Sequence, residues 1–168
     1  MTQYEAKTKE GKCIFCEIVK GNIKSKGIFW EDKKHMAFLT PFPNTEGFTV
    51  VVPKKHFGSD VLDMPDKDLK ELIIASKKVS NILKNKFQDV GRVGVIIEGL
   101  GIDHAHTKLL PMHGTEHLKE GKWIQVLDKG GEFFSKYPGY LTSIEGPRVS
   151  DEEIKKLADK LKEIQNKE

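Results

Sequence analysis

The run His104-Ala-His-Thr-Lys-Leu-Leu110 sets two histidines and a lysine at alternate positions. On a β-strand successive side chains alternate between faces, so His104, His106 and Lys108 would share one face if the strand opens at His104. Ala105, Thr107 and Leu109 would share the other. Buried nitrogen groups need partners, so this face is a poor core and a good site for a metal, a phosphate or both. A solvated strand face with two incidental histidines fits the same pattern.

Outward from this run the chain reads as strands around one long helix. Residues 92–97 form an apolar stretch, and Gly99-Leu-Gly101 turns it back into the His104 strand, which implies a hairpin. Residues 48–53 (FTVVVP) are β-branched and read as a buried strand ending at Lys54-Lys55-His56. Residues 27–32 and 35–40 read as two short strands about Asp32-Lys33-Lys34, followed by a loop punctuated by Pro41, Pro43, Asn44 and Gly47. Residues 13–20 start a short helix. Over 65–88 the spacing predicts a helix, with Pro65 in its first turn, Asp66 and Asp68 at its positive end, and an apolar stripe of Leu69, Leu72, Ile73, Val79, Ile82 and Leu83. Beyond Pro111, residues 123–127 and 140–144 are candidate strands. Ser150 and Glu153 form a capping box ahead of a helix with the stripe Ile154, Leu157, Ala158, Leu161 and Ile164.

Composition narrows the function classes. The chain has 168 residues, 38% hydrophobic and 32% charged, with a net charge of +3. That is a globular composition, and its scattered lysines give no strong nucleic-acid signal. It holds no run of 18 apolar residues, and MTQYEAKTKEGK is not a secretory signal, so the expectation is a cytoplasmic protein without a membrane span.

Cys13 and Cys16 are the two cysteines, spaced C-x-x-C. In a reducing compartment this spacing is open to metal binding, to thiol redox exchange, or to a pair of buried thiols. Zinc takes four thiolate and imidazole ligands in a tetrahedron. The six histidines are His35, His56, His104, His106, His113 and His117. A set of Cys13, Cys16, His56 and His104 would tie the N-terminal segment to two central strands as a closed structural site. From its position alone His56 reads more readily as a surface histidine behind a lysine pair.

These stretches together resemble the histidine-triad (HIT) superfamily of nucleotide hydrolases and transferases. The matches are Cys13 to Gly21, Ala37 to Pro43, Val50 to His56, and residues 104–110 against the signature His-φ-His-φ-His-φ-φ, where φ is apolar. The resemblance implies an α+β, HIT-like fold: an antiparallel sheet of about five strands with the long helix packed on it. It covers a HIT-like domain over 13–112, while residues 1–12 read as a loose polar arm and 113–168 as an extension packed on the domain or on a dimer partner. Zinc held by Cys13, Cys16, His56 and His104 is implied as well. So is nucleophilic attack by His106 on the α-phosphorus of a nucleotide, with the His104 carbonyl orienting the ring, and so is a homodimer.

The departures fall at functional positions. Lys108 replaces the third histidine and would act as a phosphate clamp, without imidazole's near-neutral proton chemistry. Thr40 stands where many members hold the ribose with aspartate. A Gly-Gln-Ser/Thr phosphate loop is missing, so the Gly99-Leu-Gly101 stretch reads either as a plain hairpin turn or as backbone amides of Gly99 or Gly101 that meet a phosphate. The expected partner is a nucleotide or nucleotide-linked small molecule. The expected activity is nucleotidyl hydrolysis or transfer through a nucleotidyl-histidine. A catalytically weakened, zinc-stabilised binding module is the alternative, and a thiol redox protein a third.

Overall fold

Polar turns and proline set the boundaries of the elements. In this computed structural model residues 7, 8, 10–25, 27–124, 150 and 152 are described. The chain divides after Ile124 into two compact units. In the first, α1 (Ile14–Val19) precedes β1 (Ile28–Glu31) and β2 (His35–Leu39). The turn between these strands is an Asx turn, with Asp32 accepting from the Lys34 amide at 2.8 Å and the His35 amide at 2.7 Å. Then follow β3 (Thr49–Pro53), α2 (Asp66–Lys86), β4 (Arg92–Ile96) and β5 (Thr107–Met112). The five strands form one sheet in the order β1-β2-β3-β5-β4, antiparallel throughout. This is the expected α+β architecture.

The register sorts side chains onto two faces. Ala37, Val51 and Leu109, with Ala105, meet Leu72, Ala75, Val79 and Leu83 of α2 in one core. Met36, Phe38, Val50 and Val52 face the other way, against Phe15 and Ile18 of α1 and Ile102. Thr107 lies fully buried on the α2 side, an unusual place for a hydroxyl. Ser76 of α2 accounts for it. Its hydroxyl donates to the Leu72 carbonyl at 2.9 Å and lies 2.7 Å from that of Thr107, so Thr107 donates to Ser76.

Three expectations shift. β5 opens at Thr107, not His104: pairing with β3 begins at Val51↔Thr107, while the Ala105 amide is taken by the Phe57 carbonyl at 3.1 Å. The alternation of faces nevertheless persists through the irregular stretch, since Ala105 joins the α2 core and His104 and His106 meet Phe15. Pro65 stands just outside α2, its carbonyl accepting the Leu69 amide at 3.0 Å. Ile73 and Ile82, expected in the buried stripe, are 42% and 40% exposed, and the buried stripe is Leu72, Ala75, Ser76, Val79 and Leu83.

After β5 a 3-10 turn spans Glu116–Leu118. Trp123 and Ile124 are exposed and outside any strand. The remainder of the expected 123–127 strand, the 140–144 strand and the stripe of the final helix lie outside the described residues. Among the described residues no helix is long and apolar enough to cross a membrane.

Candidate active site and metal centre

Cys13 caps α1 and Cys16 lies within its first turn, so the C-x-x-C spacing brings both thiols to one end of a six-residue helix. His56 follows β3, and His104 precedes β5. Their ligand atoms all lie within 4.8 Å of one another, so these four residues could hold a metal ion. The His104 ring is fully buried, and its Nε2–H donates to the Pro53 carbonyl at 2.9 Å. That bond fixes the tautomer and leaves Nδ1 with a free lone pair. Nδ1 faces Cys13 Sγ at 3.4 Å, Cys16 Sγ at 3.5 Å and His56 Nδ1 at 3.2 Å, while Cys16 Sγ lies 3.4 Å from His56 Nδ1. Metal bonds of about 2.0 Å to nitrogen and 2.3 Å to sulfur give tetrahedral edges of about 3.3 to 3.8 Å. These four of the six edges fit that figure to within a few tenths of an ångström, and all six lie within 4.8 Å. Burial, and then the neighbouring Cys13, pushes the Cys16 thiol up to about 11. At neutral pH a bound cation is therefore what would make it a thiolate.

Two residues on, the His106 Nδ1–H donates to the His104 carbonyl at 2.7 Å. Nε2 keeps its lone pair, and no described residue bonds it. Burial holds the pKa of His106 below the usual histidine value, and that of His104 likewise, so both rings are neutral near pH 7. The Phe15 ring stands edge-on to both, with centroids 5.8 Å from His104 and 5.5 Å from His106. An anchored, neutral, desolvated imidazole is the form a nucleophile needs.

Lys108 occupies the next position on this face, and its ammonium forms an ion pair with Glu98. Partial burial draws the lysine below its usual range. Sequence reasoning missed Glu98 and Phe15. The signal for Glu98 lay in the hairpin register, which a sequence without a known pairing does not display.

The remaining candidates are placed as follows. The Thr40 hydroxyl accepts from the Phe42 amide at 3.2 Å, and the Thr40 amide extends the β2–β3 ladder to the Phe48 carbonyl. Gly99 has φ +66° and packs so closely that an added Cβ would lie 3.0 Å from the Ser59 carbonyl oxygen. Gly101 has φ +93° and open space beside it. The expected Gly99-Leu-Gly101 turn is thus left-handed at both glycines, which supplies a reason for glycine independent of phosphate. His113 engages Asp89 at 2.9 Å and the Glu46 carbonyl at 3.1 Å, outside the cysteine–histidine cluster. His117 is half-buried, and its Nε2 has no partner among the described residues.

Comparison with known proteins agrees with this geometry. The family model described as the HIT domain matches residues 20–115. An uncharacterised HIT-like protein of Methanocaldococcus jannaschii is 36% identical over 108 residues, covering 60% of this chain and 79% of that protein. An adenosine 5'-monophosphoramidase of Saccharomyces cerevisiae is 33% identical over 104 residues, covering 62% of this chain and 65% of that enzyme. Among solved structures, a Zn-bound histidine triad family protein from Mycobacterium smegmatis superposes with a TM-score of 0.53 at 22% identity, over 63% of this chain and 78% of that one. With the fold, the cysteine–histidine cluster and the anchored His106 all in place, the match over more than half the sequence is decisive, and the chain belongs to the HIT family.

Proposed function

We propose that this protein is a nucleotidyl hydrolase or transferase acting on a nucleoside phosphate ester, anhydride or phosphoramidate through His106. The observation that carries the reading is the Nδ1–H bond from His106 to the His104 carbonyl, which leaves the lone pair on Nε2 of a neutral ring. Nε2 attacks the α-phosphorus, the bond from phosphorus to the leaving group breaks with its electron pair, and a nucleotidyl-histidine forms. The leaving group takes a proton from Lys108 or from water. Water or another acceptor then attacks the same phosphorus and releases His106. Lys108 balances charge on the phosphoryl oxygens. The amides of Gly99 and Gly101 and the hydroxyl of Thr40 are the proposed remaining contacts to the nucleotide.

Zinc is the proposed metal, because two thiols and two imidazoles at tetrahedral spacing suit it, and the superposable Mycobacterium smegmatis protein is Zn-bound. Held by Cys13, Cys16, His56 and His104, it would be structural: four protein ligands leave no open position for substrate or water. A homodimer belongs to the same reading, with β4 at the open edge of the sheet and Val95 on it 51% exposed.

The test is to incubate the protein with radiolabelled adenosine 5'-phosphoramidate, a dinucleoside polyphosphate and a sugar nucleotide, quench in alkali, and look for label on His106. Label on the wild type and none on His106→Ala supports the reading. No label and no turnover with all three overturns it. A nucleotide- or protein-binding module is the second reading, favoured by the engagement of Lys108 with Glu98 and of the Thr40 hydroxyl with Phe42. Thermal protection by AMP with neither label nor turnover would select it.

A further inference from the structure

Glu98 forms an ion pair with Lys108, and the reaction above leaves it without a task. It follows β4, which pairs with β5 as Ile96↔Lys108. Glu98 therefore lies two residues beyond the β4 residue that pairs with Lys108. The side chains of Glu98 and Lys108 are 15% and 25% exposed, so their ion pair is partly shielded from water. The backbone beside Glu98 is clamped as well. Gly99 lies against the Ser59 carbonyl, the Ser59 amide donates to Asp103 at 3.0 Å, and the Ala105 amide donates to the Phe57 carbonyl at 3.1 Å. Residues 57–59 thereby fix the segment that presents Glu98.

We propose that Glu98 sets the charge selectivity of the nucleotide site: it positions the Lys108 ammonium and offsets its charge, so that the site accepts a phosphoryl group bearing one negative charge and disfavours a polyphosphate chain. The inference rests on the reading that nucleotides bind at the His106 face. Lys108 alone would attract every added phosphate charge, whereas the pair is neutral overall and confronts each further charge with a carboxylate. In a half-buried setting charges a few ångströms apart interact several times more strongly than in water. Singly charged phosphodiesters and phosphoramidates are therefore the favoured class. Glu98 acts through Lys108 and is a positioning residue.

The experiment measures dissociation constants by calorimetry for two probes, the methyl ester of AMP with one negative charge and ADP with nearly three. The proteins are the full chain, Glu98→Gln, Lys108→Met and the double variant, with circular dichroism confirming each fold. Glu98→Gln is expected to tighten ADP roughly tenfold while moving the methyl ester by no more than about twofold. Lys108→Met leaves the carboxylate unopposed and is expected to weaken ADP relative to the methyl ester by a similar factor. In the Lys108→Met background the added Glu98→Gln change should relieve that loss without creating a preference for ADP, a coupling that a merely structural Glu98 would not produce. If Glu98→Gln fails to fold, Lys108→Met against wild type still decides, since an unchanged ADP-to-ester ratio overturns the proposal. Binding of both probes with a ratio that no substitution moves overturns this inference alone. Absence of binding to either probe, together with no label on His106, overturns the nucleotide reading beneath it.

Discussion

At the scale of single residues, the two departures from the family signature have different physical origins. Thr107 occupies an apolar position, yet it is fully buried and satisfied by Ser76, whose own hydroxyl proton goes to the Leu72 carbonyl. Ser76→Ala removes the acceptor and strands a buried hydroxyl, which should cost about 1 to 3 kcal/mol in urea unfolding. Adding Thr107→Val should recover most of that loss, and a double variant no more stable than Ser76→Ala would refute the account. Lys108 departs on the other face, where its carboxylate partner comes from the segment that follows β4. The common face of His104, His106 and Lys108 was legible in the sequence because strand alternation needs only spacing. Glu98 was not, because its position depends on which residue of β4 lies opposite which residue of β5.

At the scale of elements, turn chemistry and buried runs carried most of the information. The Asp32 turn, the β-branched run of β3 and the acidic first turn of α2 all lie where the sequence puts them. The ends were less legible. β5 begins late because an amide that would have entered its ladder bonds Phe57, a tertiary contact without local signature. Ile73 and Ile82 flank the buried stripe of α2, where helical periodicity alone separates core from boundary poorly.

The turn after β5 docks through Thr115, which accepts from the Gly91 amide at 3.0 Å, and through His113. The Glu46 carbonyl, then Asp89, raises the His113 pKa above its ordinary value, and His113 lowers that of Asp89. A raised histidine contributes stability in full below its unfolded value of about 6.5 and loses it as pH rises through the folded value. A depressed aspartate contributes above its unfolded value of about 4 and loses it as pH falls through the folded one. The pair should therefore hold best between about pH 4 and 6.5. Both groups are largely solvated, so the effect will be small. Scanning calorimetry at pH 5.5 and 8.5 should show the wild type losing more stability across that interval than His113→Gln. Parallel losses would dissociate His113 from the pH response.

At the scale of the whole molecule, the cluster joins three stretches that are distant in sequence: α1, the end of β3 and the approach to β5. A metal bound there closes loops of about 40 and 48 residues and stabilises only the folded state. Removing it with a strong chelator should lower the melting temperature by several degrees and raise hydrogen exchange first in α1, with zinc restoring both. An unchanged melting curve after verified metal loss would refute a stabilising role. The open β4 edge carries the corresponding expectation for assembly. Sedimentation equilibrium should give twice the 19.0 kDa chain mass, and Val95→Lys should shift it toward one. A wild type that sediments at the chain mass would refute the dimer. The first unit was largely legible because it repeats a family pattern, while the stretch beyond residue 124 offered only periodicity and caps.

One peptide unit gives the whole arrangement a dependence that neither site has alone. His104 offers its ring to the cysteine cluster and its carbonyl oxygen to His106. The ring's far nitrogen is pinned to Pro53, so His104 has little freedom to adjust at one end without moving the other. Without the ion, the alignment of the proposed nucleophile would rest on the Pro53 bond alone, although the ion itself would take no part in bond making.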